Sequence, residues 1–356
     1  MLSAHSIAVA LLAGLASVAC TAREAGGPPQ RLADTGLYAD PATREIAPGV
    51  FPFTPQYPLW SDGAAKERWF RLPEGSAIDA SAPDRWRFPV GTKFWKEFRS
   101  GRRIETRYME LRADQTWTYA SYVWNADQSD AILAPERGLP RTCTDRAGIA
   151  FDIPSQTDCR ACHEGHPSRV LGFSALQLSP DRDPLAPHAD AKAANDLDLA
   201  DLVARGLVRG LPAQFLATPP RIAAATPRGR AALGYLHGNC ASCHNRSGPL
   251  AALGMSLEQT LADAGADPVA TSAIGCASGL QLQGASERIA AGAPERSVVH
   301  RRMASRNPLL QMPPLGTQAP DRVALDLLAA WIREDLGPVA RPANASDLHN
   351  RTHQKP

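Results

Sequence analysis

Two pentapeptides, Cys159-Arg160-Ala161-Cys162-His163 and Cys240-Ala241-Ser242-Cys243-His244, constrain this chain more than anything else in it. Composition alone gives roughly 0.003 Cys-x-x-Cys-His motifs in such a sequence, and two are present. The spacing has a chemical meaning. Each thiol of such a pair adds to one vinyl group of a haem as a thioether. Two intervening residues let both thiols reach one edge of the macrocycle, and the histidine that follows is set under the iron. A zinc ribbon pairs its Cys-x-x-Cys units roughly 15–20 residues apart, far closer than these, and a thioredoxin-like redox pair needs no following histidine. The motifs therefore predict two covalent haem c groups, attached at Cys159, Cys162, Cys240 and Cys243, with His163 and His244 as iron ligands.

Covalent haem of this kind implies export, and the start of the chain agrees. Ile7 to Ala19 is an apolar run without charge, too short to span a membrane. It ends at Ser17-Val18-Ala19-Cys20, small residues before a cysteine, as at a lipoprotein cleavage site, although Ser17 stands where a leucine is usual. Residues 1–20 are thus expected to be a signal peptide and 21–35 a linker, in a periplasmic protein. A lipid on Cys20 would tether it to the membrane; ordinary cleavage after Ala19 or Ala22 is the alternative. No other stretch is apolar enough to cross a bilayer. The 38 Lys and Arg balance 36 Asp and Glu, so no field points to a nucleic-acid partner. Cys143 and Cys276 remain, either as a disulfide in an oxidising compartment or as two free thiols.

Residues 222–340 read as an all-α unit. Thr226-Pro227 is an N-cap followed by proline at the first helical position, opening a helix through Ala231, Ala232, Tyr235 and Leu236 into the second motif. A last helix starts near Asp321, with Ala324, Leu327, Leu328, Trp331 and Ile332 on one stripe and Gly337-Pro338 as its stop. A helix leading into Cys-x-x-Cys-His and a tryptophan-bearing terminal helix resemble the small monohaem cytochrome c family, over about a third of the chain. That resemblance implies that the two helices pack together and that a methionine between them is the second iron ligand. Met255 follows His244 too closely, and Met303 in Arg301-Arg302-Met303 reads as part of a short solvated helix. Met312, in Gln311-Met312-Pro313-Pro314, sits on a stiff extended loop and is the expected ligand. Residues 341–356 read as a flexible tail.

Residues 36–221 have a different character. Six of the seven tryptophans lie between 60 and 124. Arg85-Trp86-Arg87-Phe88, Gly91 to Phe98, Ile104 to Arg112 and Thr116-Trp117-Thr118-Tyr119 read as strands of an antiparallel unit that ends in the first motif. The fold class is therefore α+β: a β-rich haem domain followed by a cytochrome c-like helical one. Phe88-Pro89-Val90-Gly91, Tyr108-Met109, Thr116 to Tyr119 and the closing Cys159 to His163 resemble the cytochrome c′-beta family and its hydroxylamine-oxidising relatives. One branch of those links a lysine to its haem, and Lys96 is the nearest positional match. Over its whole length, through Tyr57-Pro58-Leu59-Trp60-Ser61-Asp62-Gly63, Ile104-Glu105-Thr106-Arg107 and Ile153-Pro154-Ser155, the chain resembles a family of bacterial dihaem cytochromes. Trp60 to Gly63 reads as a turn with a core tryptophan. Glu105 and Arg107 share one side of a strand with Met109; charged strand residues usually face solvent, and a haem-facing side is the alternative.

Two functions follow. A closed His244/Met312 iron makes the chain an electron carrier between redox proteins, such as a dehydrogenase, another cytochrome or an oxidase. The alternative is a haem enzyme or gas-ligand binding protein acting at a five-coordinate first haem. His166 lies too close to His163 to reach the opposite haem face, whereas His188 or Met109 could close that iron; the cytochrome c′-beta resemblance implies that it stays open.

Overall fold

The computed structural model describes residues 27–144, 150–263, 265 and 267–337, with 142–144 described for the backbone alone. The expected signal peptide, Cys20 and the tail 341–356 lie outside the described residues, as does the side chain of Cys143. The chain combines helix (23%) with antiparallel sheet (22%), an α+β composition. Among the described residues no helix is long and apolar enough to cross a membrane.

The N-terminal half is built on a six-stranded antiparallel meander: β1 (Val50–Pro52), β2 (Ala65–Arg71), β3 (Lys93–Ser100), β4 (Arg102–Leu111), β5 (Trp117–Trp124) and β6 (Ala131–Leu133), paired in that order. Alternation decides its two faces. Trp69, Trp95, Tyr108 and Tyr122 point one way and are buried with Leu32 and Leu37. Leu32–Thr35, the end of the expected linker, is thus a 3-10 turn packed into this core. On the other face three rows run across the strands: Phe70, Phe94, Met109 and Tyr119; then Arg68, Lys96, Arg107 and Ser121; then Lys66, Phe98, Glu105 and Val123. The strand expected at Arg85–Phe88 is only an isolated bridge between Arg87 and Asp79, because Pro83 and Pro89 flank it and neither can donate to a ladder.

A hairpin of β7 (Leu139–Thr144) and β8 (Ala150–Ile153) leads into α1 (Gln156–His163). Ser155 caps that helix: its hydroxyl accepts from Asp158 N (3.1 Å), and the Asp158 carboxylate accepts from Ser155 N (2.9 Å). The chain after α1 returns across the sheet on Phe173, which is fully buried and lies 4.7–5.1 Å from the rings of Phe53, Phe70 and Phe94. Burial of one such ring contributes about 1.5–3 kcal/mol.

In the C-terminal half, α2 (Pro227–Cys240) begins at the expected cap, Thr226, whose hydroxyl accepts from Gly229 N at 2.9 Å. α3 (Pro268–Ser272) is followed by a hairpin, β9 (Ala277–Leu282) and β10 (Ala285–Glu287), then α4 (Val298–Ala304) and α5 (Arg322–Ala330). The hairpin corrects the all-α expectation. Its residues alternate between exposed and half-buried, and Gly284 turns it at φ +74. α5 continues through Trp331–Asp335 and packs on α2, with Arg228 paired to Asp335 at 3.1 Å.

The halves share one core: the cluster that holds Phe53, Phe94 and Phe173 also holds Ala232, Leu236, Leu328 and Trp331. Tyr57 is the deepest joint. A Cβ at Gly234 would lie 2.0 Å from Tyr57 Cε1 and one at Gly238 would lie 2.5 Å from Tyr57 O, so only glycine at both positions lets Tyr57 lie on the backbone of α2.

Candidate functional site

The first motif occupies the second half of α1, a helix with no buried residue that rests on β5. Cys159 and Cys162 are unpaired and half-buried. Burial pushes the Cys162 thiol up to about 11, and the Cys243 thiol of the other motif adds to the shift. His163 closes the helix with its ring 5.2 Å from that of Tyr119. Its Nδ1 lies 2.7 Å from Arg169 O. A carbonyl only accepts, so Nδ1 carries the proton and Nε2 keeps a free lone pair. Burial lowers the His163 pKa to about 4, which keeps the ring neutral. A neutral imidazole oriented through its other nitrogen is the form that ligates a metal.

The second motif continues the last turn of α2, with Cys243 N and His244 N donating to Cys240 O at 3.1 and 2.8 Å. Burial, then the neighbouring Cys243, pushes the Cys240 thiol up to about 12. His244 is 5% exposed, and its Nδ1 is buried with no hydrogen-bond partner. Burial, then the Arg302 and Arg288 guanidiniums, lowers its pKa. Among the described residues no three His, Cys, Asp or Glu side chains gather as a metal centre. Two unpaired thiols and a neutral imidazole, repeated twice, are a donor set that fits covalent haem at each motif.

The motifs touch, which the sequence did not reveal. Asn245 Nδ2 donates to Gly165 O (2.9 Å) and to Ala241 O (2.8 Å), while its Oδ1 accepts from Gly248 N (2.6 Å). A Cβ at Gly165 would stand 2.7 Å from Ser242 O, and one at Gly248 would stand 2.4 Å from Gly165 O. The residues just after His163 are therefore in backbone contact with the middle of the second motif. The one local hint is a glycine two residues past His163 and another four past His244.

The three methionines separate clearly. Met303 is 6% exposed in the main core, so the solvated helix expected for it is wrong: α4 turns Met303 inward and Arg301 and Arg302 partly outward. Met255 packs against the same core. Met312 is half-buried and, among the described residues, belongs to no hydrophobic cluster. Its N–H donates to Arg302 O at 3.1 Å, which ties it to the residue whose charge bears on His244. The loop that follows is clasped by the N-terminal half. Asp62 accepts from Gln318 N (3.0 and 2.9 Å) and Ala319 N (2.9 Å), and Trp60 Nε1 donates to Ala319 O (3.3 Å). Trp60 is half-buried, so the turn reading holds for Ser61 to Gly63 but the core reading of the tryptophan does not.

Of the residues expected near the first iron, the two histidines are engaged elsewhere, whereas Met109 stands directly opposite Tyr119, whose ring lies by His163. His188 Nε2 lies 2.9 Å from both Asp321 oxygens, with its ring 4.6 Å from that of Trp60. His166 Nε2 lies 2.9 Å from Glu258 Oε1. Met109 is 8% exposed within the main core. Glu105 is fully buried and accepts from Arg107 Nε at 3.0 Å, which overturns the solvated-face reading. Burial is the main cause that lowers Lys66 to about 8, Arg68 to about 10 and Lys96 well below the ordinary lysine value. Cys276 is a free thiol lying 3.6 Å from Ile274 O.

Compared with protein-family models, curated proteins and solved structures, the chain matches none.

Proposed function

We propose that the chain is an exported dihaem c-type cytochrome that carries electrons between redox proteins. The observation that supports this reading most is the contact between the two Cys-x-x-Cys-His segments, in which Asn245 Nδ2 donates to Gly165 O and Gly165 lies against Ser242 O, so that the two motifs stand side by side in one packed body. A haem at each motif supplies a one-electron iron couple. The chain's own residues do the rest. The thiols of Cys159, Cys162, Cys240 and Cys243 hold the macrocycles, His163 and His244 face the irons, and the Met312 thioether closes the second iron. The C-terminal half is then a cytochrome c-like unit with a hairpin inserted between α3 and α4. The reading includes export to the periplasm, with a lipid tether at Cys20 if the lipoprotein site is used.

A second reading rests on a separate observation. His188 and His166 are each held by a carboxylate, which supports an open sixth position at the first iron, and hence ligand binding there, unless the Met109 thioether closes it. Adding CO to the reduced two-haem protein tests both readings. One haem of the two is expected to take the ligand quickly while the His244/Met312 haem does not. Two low-spin signals with no uptake would leave a plain electron carrier.

A further inference from the structure

The face of the sheet beside the first motif carries more positive charge than its own residues neutralise. Arg68, Lys96, Arg107 and Ser121 stand directly opposite one another on β2, β3, β4 and β5. Neighbouring strands lie about 4.8 Å apart, so the row runs about 14 Å. Like charges placed directly across a strand pair destabilise it, and here three cations follow in sequence. Arg107 has Glu105 as its partner at 3.0 Å. Among the described residues, Arg68, Lys96 and the flanking Lys66 have no carboxylate within ion-pair distance.

The polar atoms around this row are also short of partners. Arg68 is 6% exposed and its Nη2 is buried with no hydrogen-bond acceptor. Ser121 Oγ and Tyr119 OH are buried and unpartnered on β5, and Glu105 Oε2 is buried and unpartnered on β4. Four such orphans on one sheet face are unusual, because a buried polar group left unpaired costs about 1–3 kcal/mol. Asp190 and Asp196 bear on Arg68 only from beyond ion-pair distance, so neither supplies the acceptor that its Nη2 lacks. Lys66, Lys96 and Arg107 are only half-buried, so the row borders a space that solvent reaches.

The geometry points to an anion-binding site on this row, built for a carboxylate or a small oxyanion that bridges the neighbouring cations Arg68 and Lys96. Two sources supply that chemistry: the propionates of a haem held at Cys159 and Cys162, or a free oxyanion. The inference rests on the dihaem reading for the first source only. The second needs no haem, because every donor belongs to the sheet.

The test uses the mature protein, with haem content measured first; one haem or none would overturn the dihaem reading and leave this site to be judged by anion binding alone. Sulfate, a poor ligand for haem iron, is the probe, titrated at constant ionic strength, and the potential of each haem is measured without it. A free-oxyanion site gives saturable sulfate binding that weakens about tenfold or more in Arg68→Met and Lys96→Met. A propionate site gives no sulfate binding, but each of those variants lowers the potential of one haem and spares the other, since a lost cation favours the ferric state. Glu105→Gln removes the one carboxylate of the face and carries the sign test if the cation variants fail to fold. It is expected to raise the same potential or tighten sulfate binding. Folded variants with no change in either potential and no anion binding would overturn the proposal, as would a fall in potential on Glu105→Gln.

Discussion

The two Cys-x-x-Cys-His segments share a sequence pattern and are supported in opposite ways. The first lies on a short helix with no buried residue, and its histidine is fixed locally by Arg169 O six residues on. The second ends a helix whose residues 229–236 are all buried, yet His244 Nδ1 has no partner. The charges that bear on His244, Arg302 and Arg288, come from far along the chain; Arg302 O holds Met312 N, and the Trp60–Asp62 turn clasps residues 318 and 319 of the same loop. The histidine of the first is thus fixed through local chain, while the loop expected to serve the second is held from both halves of the molecule. The second site should therefore respond to changes in the N-terminal half that leave His163 and Arg169 untouched.

The largest expected effects test whether the segments are independent attachment points. Cys240→Ala with Cys243→Ala should leave one haem on the denatured polypeptide by mass, and Cys159→Ala with Cys162→Ala should do the same for the other motif. Finding one haem or none in the properly matured parent protein would remove the ground under the comparison. Met312→Ala comes next. It should abolish the sulfur-to-iron absorption band and lower the potential of that haem, because a thioether favours the ferrous state. Met303→Ala should keep the band and instead cost about 2–5 kcal/mol of stability, as expected for a methionine 6% exposed in the core. Loss of the band in Met303→Ala would mean that the clasped loop is not the ligand loop.

Much of this was legible in the sequence, for physical reasons that also explain the misses. The strands at 93–124 announce themselves by alternation, and the helices by Thr226-Pro227 and Asp321, whose side chains accept from Gly229 N and Ala324 N. Those signals are local. The contact between Gly165 and Asn245 spans 80 residues and leaves no periodic trace. Glu105 and Arg107 read as a solvated face because charged residues on alternate strand positions usually are solvated; here that face is turned toward α1 and the segment carrying Asp190. The hairpin at 277–287 was missed because its strands bury little and the expected family pattern is helical.

Acid should loosen the junction behind the second motif. His237, on α2 three residues before Cys240, accepts from Gln259 N at 3.1 Å and is lowered by burial from 6.5 to about 4, with Glu258 opposing and His166 adding to the shift. The folded state binds this proton less readily than the unfolded state. The stabilisation is therefore complete above pH 6.5 and is lost as pH falls from 6.5 towards 4, up to about 3 kcal/mol in all. His237→Asn, whose Oδ1 can accept from Gln259 in place of Nδ1, should flatten that part of the acid-unfolding curve. An unchanged curve would show that other groups set the acid limit.

The smallest effect is the most specific to the comparison. Asp62 lies in the N-terminal half, yet it accepts from Gln318 N and Ala319 N, six and seven residues past Met312. Asp62→Ala leaves two backbone donors to water and removes one side of the clasp, at a cost of about 1–3 kcal/mol. The core around Phe173 and Tyr57 is untouched by the change, so the global melting temperature should fall only slightly. The loop should feel the loss first. As the protein is warmed, the sulfur-to-iron band is expected to disappear at a lower temperature than in the parent, ahead of global unfolding, while the absorption of the first haem holds. Asp62→Asn keeps one acceptor oxygen and should lie between the two. If the band and the global transition move together in Asp62→Ala, the loop is held by the C-terminal half alone, and the second site is as local as the first.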